Sequence, residues 1–174
     1  MNIRIDEEFK ALIPPLAEQE RQQLEDNLKA DGCRDPLVVW DGVLLDGHNR
    51  HEICSRLGIE FRVSELDLPD RAAAMDWMDA NQLGRRNLSP EQMSLLRGRI
   101  YNRSKGKRGG DRRSESNPQN EGLKKPTADN LGERFGVSRA TVERDGKFAE
   151  SVEALKQHVP DIDSRVMSGE VKRR

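Results

Sequence analysis

Residues 127–148, TADNLGERFGVSRATVERDGKF, restrict the fold of this chain more than any other stretch. Thr127 is placed to cap a first helix, and Leu131 and Phe135, four apart, share an inward face. Gly132 falls where two helices must approach closely, and Gly136 lies at a turn that needs positive φ. Val137 turns inward, Ser138 caps a second helix, and Val142 faces back four residues after the cap. The spacing is that of a helix-turn-helix, whose second helix enters the major groove of double-stranded DNA. Arg139, Thr141 and Arg144 are then expected to project outward, while Thr127 and Ser138 offer hydroxyl or backbone N–H groups to phosphates. A helical hairpin used only for packing is the competing reading.

The charge is distributed to suit a polyanionic partner. Residues 1–96 hold 11 basic and 19 acidic side chains, residues 97–125 hold 10 and 3, and residues 126–174 hold 9 and 9. The chain's net charge of −1 therefore conceals an acidic first block and a strongly basic middle one. The two cysteines, Cys33 and Cys54, lack CxxC spacing, so neither a disulfide framework nor a structural zinc site is expected, and a reducing cytoplasm fits. No apolar run suits a leader or a membrane span, and the expected location is cytoplasmic, with the nucleoid or a plasmid.

Upstream, the pattern is that of a small α/β unit. Residues 18–30 read as an amphipathic helix stopped at Asp31-Gly32. Residues 36–40 and 43–45 read as strands joined by Asp41-Gly42, a pair suited to a two-residue hairpin turn. A helix is expected from His48 to Leu57 with Gly58 as its stop, then a strand from Ile59 to Val63 and a helix over 69–80. Ser89-Pro90-Glu91-Gln92 forms a capping box with proline at the first helical position, opening a helix to about Arg103. Residues 104–125 are rich in Lys, Arg, Gly, Ser, Asn and Pro and read as a basic linker. The expected domains are an α/β domain at 1–80, a connecting motif and helix at 81–103, a linker at 104–126 and the helix-turn-helix region at 127–174.

Two polar clusters flank that unit. In LLDGHNRHEICSRLG (44–58), Gly47 opens the approach to a helix N-terminus, whose free N–H groups attract anions. His48 and Asn49 can donate hydrogen bonds there and Arg50 can fork onto a phosphate. Asp46 argues the other way unless it faces aside, so helix capping and anion binding both stay open. His48 and His51 have no evident third metal ligand, and Cys54 reads as a small buried residue. The second cluster, NQLGRRNLSPEQ (81–92), places Asn81, Gln82, Arg85 and Arg86 in a joint between helices.

Taken in order, PLVVWDGVLLDGHNRHEICSRLG, NQLGRRNLSPEQ and the helix-turn-helix resemble the ParB/sulfiredoxin superfamily, and more narrowly ParB-like partition and regulatory proteins with a nuclease-like N-terminal domain. The resemblance spans about residues 5–150. The family's Gly-Glu-Arg-Arg-like box matches Gly47, His48, Asn49 and Arg50. Its Glu-Asn-x-x-Arg and Leu-x-Pro elements match Asn81, Gln82, Arg85, Leu88 and Pro90. It implies an α+β protein with a small ParB-like N-terminal domain and an all-helical helix-turn-helix domain. It further implies a cleft for CTP or another nucleoside triphosphate with Mg2+, formed by Gly47, His48, Asn49, Arg50, Asn81, Gln82, Arg85 and Arg86. Asn81 stands where the family has an acidic residue, and Ile13-Pro14-Pro15-Leu16 carries no arginine where a Pro-Arg phosphate motif is usual. No catalytic cysteine lies in the Gly-x-x-Arg box, which sets a sulfiredoxin-like reductase aside. No dimerisation segment is evident by Arg174, so a sliding clamp is not expected, although a homodimer is among the expected assemblies. The expected role is partition or transcriptional regulation for a plasmid, phage or mobile element. The alternative is a metal-dependent nuclease or nucleotide hydrolase, with Asp46 holding a metal and His48 or His51 as base.

Overall fold

The computed structural model describes residues 3–84, 88–106 and 128–171. Arg85, Arg86, Thr127 and nearly all of the expected linker lie outside these residues. The chain divides into two compact units: Met1–Met78 with Asp163–Glu170, and Asp79–Ile162 with Val171–Arg174.

The first unit is built on a three-stranded sheet. Strand β1 (Leu37–Trp40) pairs antiparallel with β2 (Val43–Asp46), and the turn between them has Asp41 and Gly42 both at positive φ, as expected. Strand β3 (Val63–Glu65) runs parallel to β1 on its other side. The expected strand at Ile59–Val63 is corrected: pairing begins only at Val63. The reason is that Ile59 packs among Leu28, Ile53 and Cys54, and Phe61 packs both there and against Leu37, Val39 and Leu44, so this stretch is held by its side chains before its backbone pairs.

Helices pack around the sheet. Helix α1 (Glu7–Ala11) escaped the sequence reading. At five residues it is too short to hold by propensity and is held by its surroundings. Asp6 accepts from the Glu8 and Phe9 N–H groups, Phe9 is fully buried, and Arg71 lies over the Phe9 ring while pairing with Asp6 at 2.9 Å and Glu8 at 2.6 Å. Helix α2 (Glu18–Asp31) stops at Gly32 with φ 72°, and helix α3 (His48–Leu57) stops at Gly58 with φ 68°. Two ion pairs join α2 to α3, Arg21–Glu52 and Arg56–Glu25.

Helix α4 (Arg71–Leu83) opens where Asp70 accepts from the Ala73 N–H. It continues through Asn81 and Gln82, which were expected in a joint between helices. No helix breaker occurs before Gly84, so the helical turns carry through both residues.

In the second unit, helix α5 (Pro90–Gly106) starts with the expected capping box. Ser89 Oγ accepts from the Gln92 N–H at 3.2 Å and Gln92 Oε1 from the Ser89 N–H at 2.6 Å. The helix runs past Arg103. Helices α6 (Ala128–Phe135) and α7 (Arg139–Leu155) follow. A short helix, α8 (Ile162–Met167), whose residues from Asp163 onward belong to the first unit, ends the chain's regular structure among the described residues.

The junction of α5 with α7 is very close. A Cβ on Gly98 would lie 2.1 Å from the Asp145 carbonyl oxygen, and one on Gly146 would lie 2.6 Å from the Tyr101 ring. Around that crossing the buried Asp145 carboxylate accepts from Ser94 Oγ at 2.6 Å and Arg97 Nε at 2.7 Å, and Asn102 donates to the Gly146 carbonyl at 2.8 Å. The small residues let the backbones meet, and polar groups bond across the crossing, although Asn102 Oδ1 is buried without a partner among the described residues. Among the described residues no helix is long and apolar enough to cross a membrane.

Candidate anion cleft and nucleic-acid interface

The start of α3 is where a strand ends and a helix begins within one residue. Gly47 makes that possible. Its φ of 94° and ψ of 24° lie in the left-handed region, and a Cβ there would sit 2.5 Å from Leu37 Cδ2. As the N-cap residue it supplies no side-chain acceptor, and the first turn holds no acidic residue. The leading N–H groups of α3 therefore have no side-chain cap, and the helix presents its positive end without a countercharge from its own first turn.

Arg50 does not extend from that helix end. Its guanidinium donates to Asp46 Oδ2 at 2.9 Å and to the Asp35 carbonyl at 3.3 Å, and its side chain is only 18% exposed. Its side chain also lies against the space above Gly47. The neighbouring motif residues face elsewhere. His48 and Asn49 line a cleft of about 440 Å³, together with Lys10, Pro14, Arg21 and Glu52. Its charges nearly balance, because Arg21 is paired with Glu52.

His48 is the unusual group in this wall. Both ring nitrogens are buried and have no hydrogen-bond partner among the described residues. Burial pulls its pKa down to about 4, with Asp46 opposing and Lys10 and His51 reinforcing the shift. The imidazole is thus neutral at physiological pH and carries an unused donor and acceptor.

The second polar cluster is divided by the structure. Asn81 is half-buried on α4, whereas Gln82 is 1% exposed and its amide has no partner among the described residues. Three residues earlier, buried Asp79 pairs with Arg103 at 2.5 Å and with Arg99 at 3.8 Å. Gly47–Arg50 belong to the first unit, and Asn81 and Gln82 to the second.

The α6–α7 pair has its own geometry. Three residues join the helices: Gly136 at φ 65°, Val137 and Ser138. Val137 donates its N–H to the Gly132 carbonyl at 2.9 Å, and a Cβ on Gly132 would stand 2.7 Å from the Val137 carbonyl oxygen. Gly132 therefore accommodates the returning turn itself. Ser138 Oγ accepts from the Thr141 N–H at 3.2 Å and lies 2.9 Å from Thr141 Oγ1. Leu131 and Val142 are buried with Ile100 and Ala128, and Phe135 and Val137 pack against them.

The outward side of α7 begins with exposed Ser138, Arg139 and Arg144, with Thr141 half-buried between them. Arg139 pairs with Glu143 at 2.9 Å and Asp129 at 3.4 Å yet remains 64% exposed. Arg144 donates to the Ala140 carbonyl and to Thr141 Oγ1. Both guanidinium groups hold their positions through exposed contacts that a phosphate can replace.

The sequence reading picked out His48 and Asn49 but missed Lys10, Arg21 and Glu52 as their neighbours. Lys10 and Arg21 carry no local signal, since they arrive from α1 and α2 by tertiary packing; Glu52 stands on α3 itself, one turn after His48, where helical spacing marks it.

No protein-family model matches the chain, and neither does any curated protein sequence. Among solved structures, the C2221 form of a pNOB8-like ParB N-domain is similar, with a TM-score of 0.57 at 21% identity. The match covers 83% of this chain and 64% of that one. A second pNOB8-like ParB N-domain structure gives a TM-score of 0.48 at 27% identity, covering 61% of this chain and 41% of that one. The chain thus spans less than two thirds of either neighbour. Its fold is that of a ParB-like N-terminal domain, a mixed α+β architecture with a small sheet.

Proposed function

We propose that this is a DNA-binding, ParB-like protein acting in partition or transcriptional regulation for a plasmid, phage or mobile element. The observation that carries the reading is the start of α7. A left-handed glycine turn, a serine cap and a buried Val142 orient an exposed face bearing Ser138, Arg139, Thr141 and Arg144. Read as a helix-turn-helix, this face offers two guanidinium groups and two hydroxyls to the duplex. The ParB-like fold supports the same reading. A gel shift with DNA from the source element, across a salt series, tests it. Specific fragments are expected to be retained over random duplex, and Arg144→Ala is expected to lower the salt slope by about one. Equal, salt-insensitive retention of all fragments overturns the reading.

The cleft beside α3 is the proposed place for a nucleoside triphosphate, CTP or another. The uncapped α3 N-terminus, Asn49 and Lys10 suit phosphate oxygens, and the neutral His48 ring, its nitrogens turned away from solvent, forms part of the wall. Magnesium would enter with the nucleotide, coordinated largely through its phosphate oxygens. Titration with the four nucleoside triphosphates, with and without magnesium, tests this. Binding weakened in Asn49→Ala and Lys10→Ala, but less so in Arg50→Lys, is the expected pattern. Equal weak binding of all four in every variant counts against it.

A further inference from the structure

The chain has two cysteines, twenty-one positions apart, and the fold packs them into one cluster. Cys54 is fully buried on α3, in a cluster with Leu28 and Ile53, and Cys33 packs against that cluster from the connection between α2 and β1. Both are free thiols, and Cys33 is partly exposed. The Cys33 thiol donates to the Asp35 carbonyl at 3.4 Å, the same carbonyl that accepts from Arg50 at 3.3 Å.

We propose that Cys33 and Cys54 are a redox site, oxidised by a hydroperoxide to an intramolecular disulfide that ties the α2–β1 connection to α3 beside Arg50. Nothing in this proposal depends on DNA or nucleotide binding. The exposed partner reacts first. The Cys33 sulfur attacks one peroxide oxygen and the O–O bond breaks. The second oxygen leaves as water after taking the thiol proton. Cys33 is then a sulfenic acid, and the peroxide has been reduced by two electrons. The Cys54 sulfur next attacks the Cys33 sulfur, the S–O bond breaks, and the hydroxyl departs as water with the Cys54 proton. Two thiols and one hydrogen peroxide thus give one disulfide and two waters.

The assignment of order follows from the environments. Burial, and then the adjacent Cys33 thiol through charge and a side-chain hydrogen bond, push the Cys54 thiol up to about 11, while Arg50 pulls it down. A buried thiol held in its protonated form is a poor first nucleophile but stands beside its electrophile once Cys33 is oxidised. Disulfide formation withdraws the Cys33 S–H from the Asp35 carbonyl and leaves Arg50 as that carbonyl's side-chain donor. The site therefore couples the redox state to the segment preceding the candidate cleft.

The test is hydrogen peroxide treatment of the full chain, alkylation of remaining thiols, unfolding, and non-reducing tryptic mass mapping. The expected product is Ala30–Arg34 joined to His51–Arg56, reversed by a dithiol reductant and absent from C33S. C33S changes a partly exposed side chain, and circular dichroism checks that it folds. In that folded variant Cys54 is expected to resist alkylation until unfolding, as a buried thiol should. Recovery of both peptides separately alkylated, Cys33 carried to the sulfinic acid without cross-linking, or Cys33 joined to a second chain's Cys33 overturns the proposal.

Discussion

At the start of α3 an arginine turns back into its own unit, whereas at the start of α7 two arginines stay exposed. Arg50 is 18% exposed and bound to Asp46 and the Asp35 carbonyl; Arg139 is 64% exposed despite its two carboxylate partners. The caps differ in parallel. Ser138 closes the first turn of α7 with its own hydroxyl, while Gly47 leaves the first turn of α3 without a side-chain acceptor. In the first region the helix end is the open group and the cation is committed to the fold. In the second the helix end is closed and the cations are offered outward. A basic residue beside a helix start therefore says little about anion binding until its partners and their burial are known.

The largest expected effect would break the support under the α7 face. Asp145→Ala leaves Arg97, 12% exposed, without the carboxylate it now meets, and removes the acceptor of Ser94. A loss of about 3–5 kcal/mol follows for a buried pair stripped of one partner. Denaturant unfolding measures it, and a loss under about 1 kcal/mol would mean that the glycine crossing holds α5 to α7 without that pair. Next is Gly47→Ala, which forces a Cβ toward Leu37 at left-handed φ. Left-handed backbone costs about 1–2 kcal/mol and overpacking about 1–3 more, so this single methyl should approach the Asp145 effect. An unchanged melting temperature would show that the α3 start can relax into an ordinary cap.

The features legible in sequence were those decided within a few residues. The Asp41-Gly42 turn, the stops at Gly32 and Gly58, the Ser89 capping box and the Gly136–Ser138 turn each follow from local backbone chemistry, and each stands where it was read. Other features were settled at long range. Helix α1 exists through Arg71, more than sixty residues away. Arg50 has one partner in local reach, Asp46 four residues earlier, but nothing adjacent shows that Asp35 will also stand beside it. Asp145 lies inside the most legible motif of the chain, yet its role is hidden, because its partners Ser94 and Arg97 lie on another helix. The motif spelling identified the α3 start, but tertiary packing selected His48 and Asn49 as the residues facing the cleft.

A smaller effect would sharpen the α3 side of the comparison through pH. The folded chain disfavours a proton on His48 and the unfolded chain does not, so protonation pulls toward unfolding. Stability is full above the ordinary value of 6.5 and falls as the pH drops toward about 4, below which this contribution is exhausted. The partly hydrated ring should yield about 1–2 kcal/mol over that window, less than the full shift implies. His48→Leu should flatten the stability profile there. A profile identical to that of the unaltered chain would assign the acid sensitivity to other groups and weaken the picture of His48 as a neutral ring in the cleft wall.

The smallest expected effect separates capping from recognition at α7. Ser138→Ala removes the acceptor for the Thr141 N–H and should cost about 1 kcal/mol, seen as a lower midpoint in denaturant. Ser138→Asp restores an acceptor of equal capping quality and adds a charge that suits a helix N-terminus, so stability should return. Binding should not. The same carboxylate would face the phosphates that Arg139 and Arg144 are proposed to meet, and like charges repel across a short gap. Recovery of stability without recovery of duplex affinity would mark the start of α7 as a contact surface. Recovery of both would leave Ser138 a cap alone and shift the proposed contact toward Arg144, further along the helix.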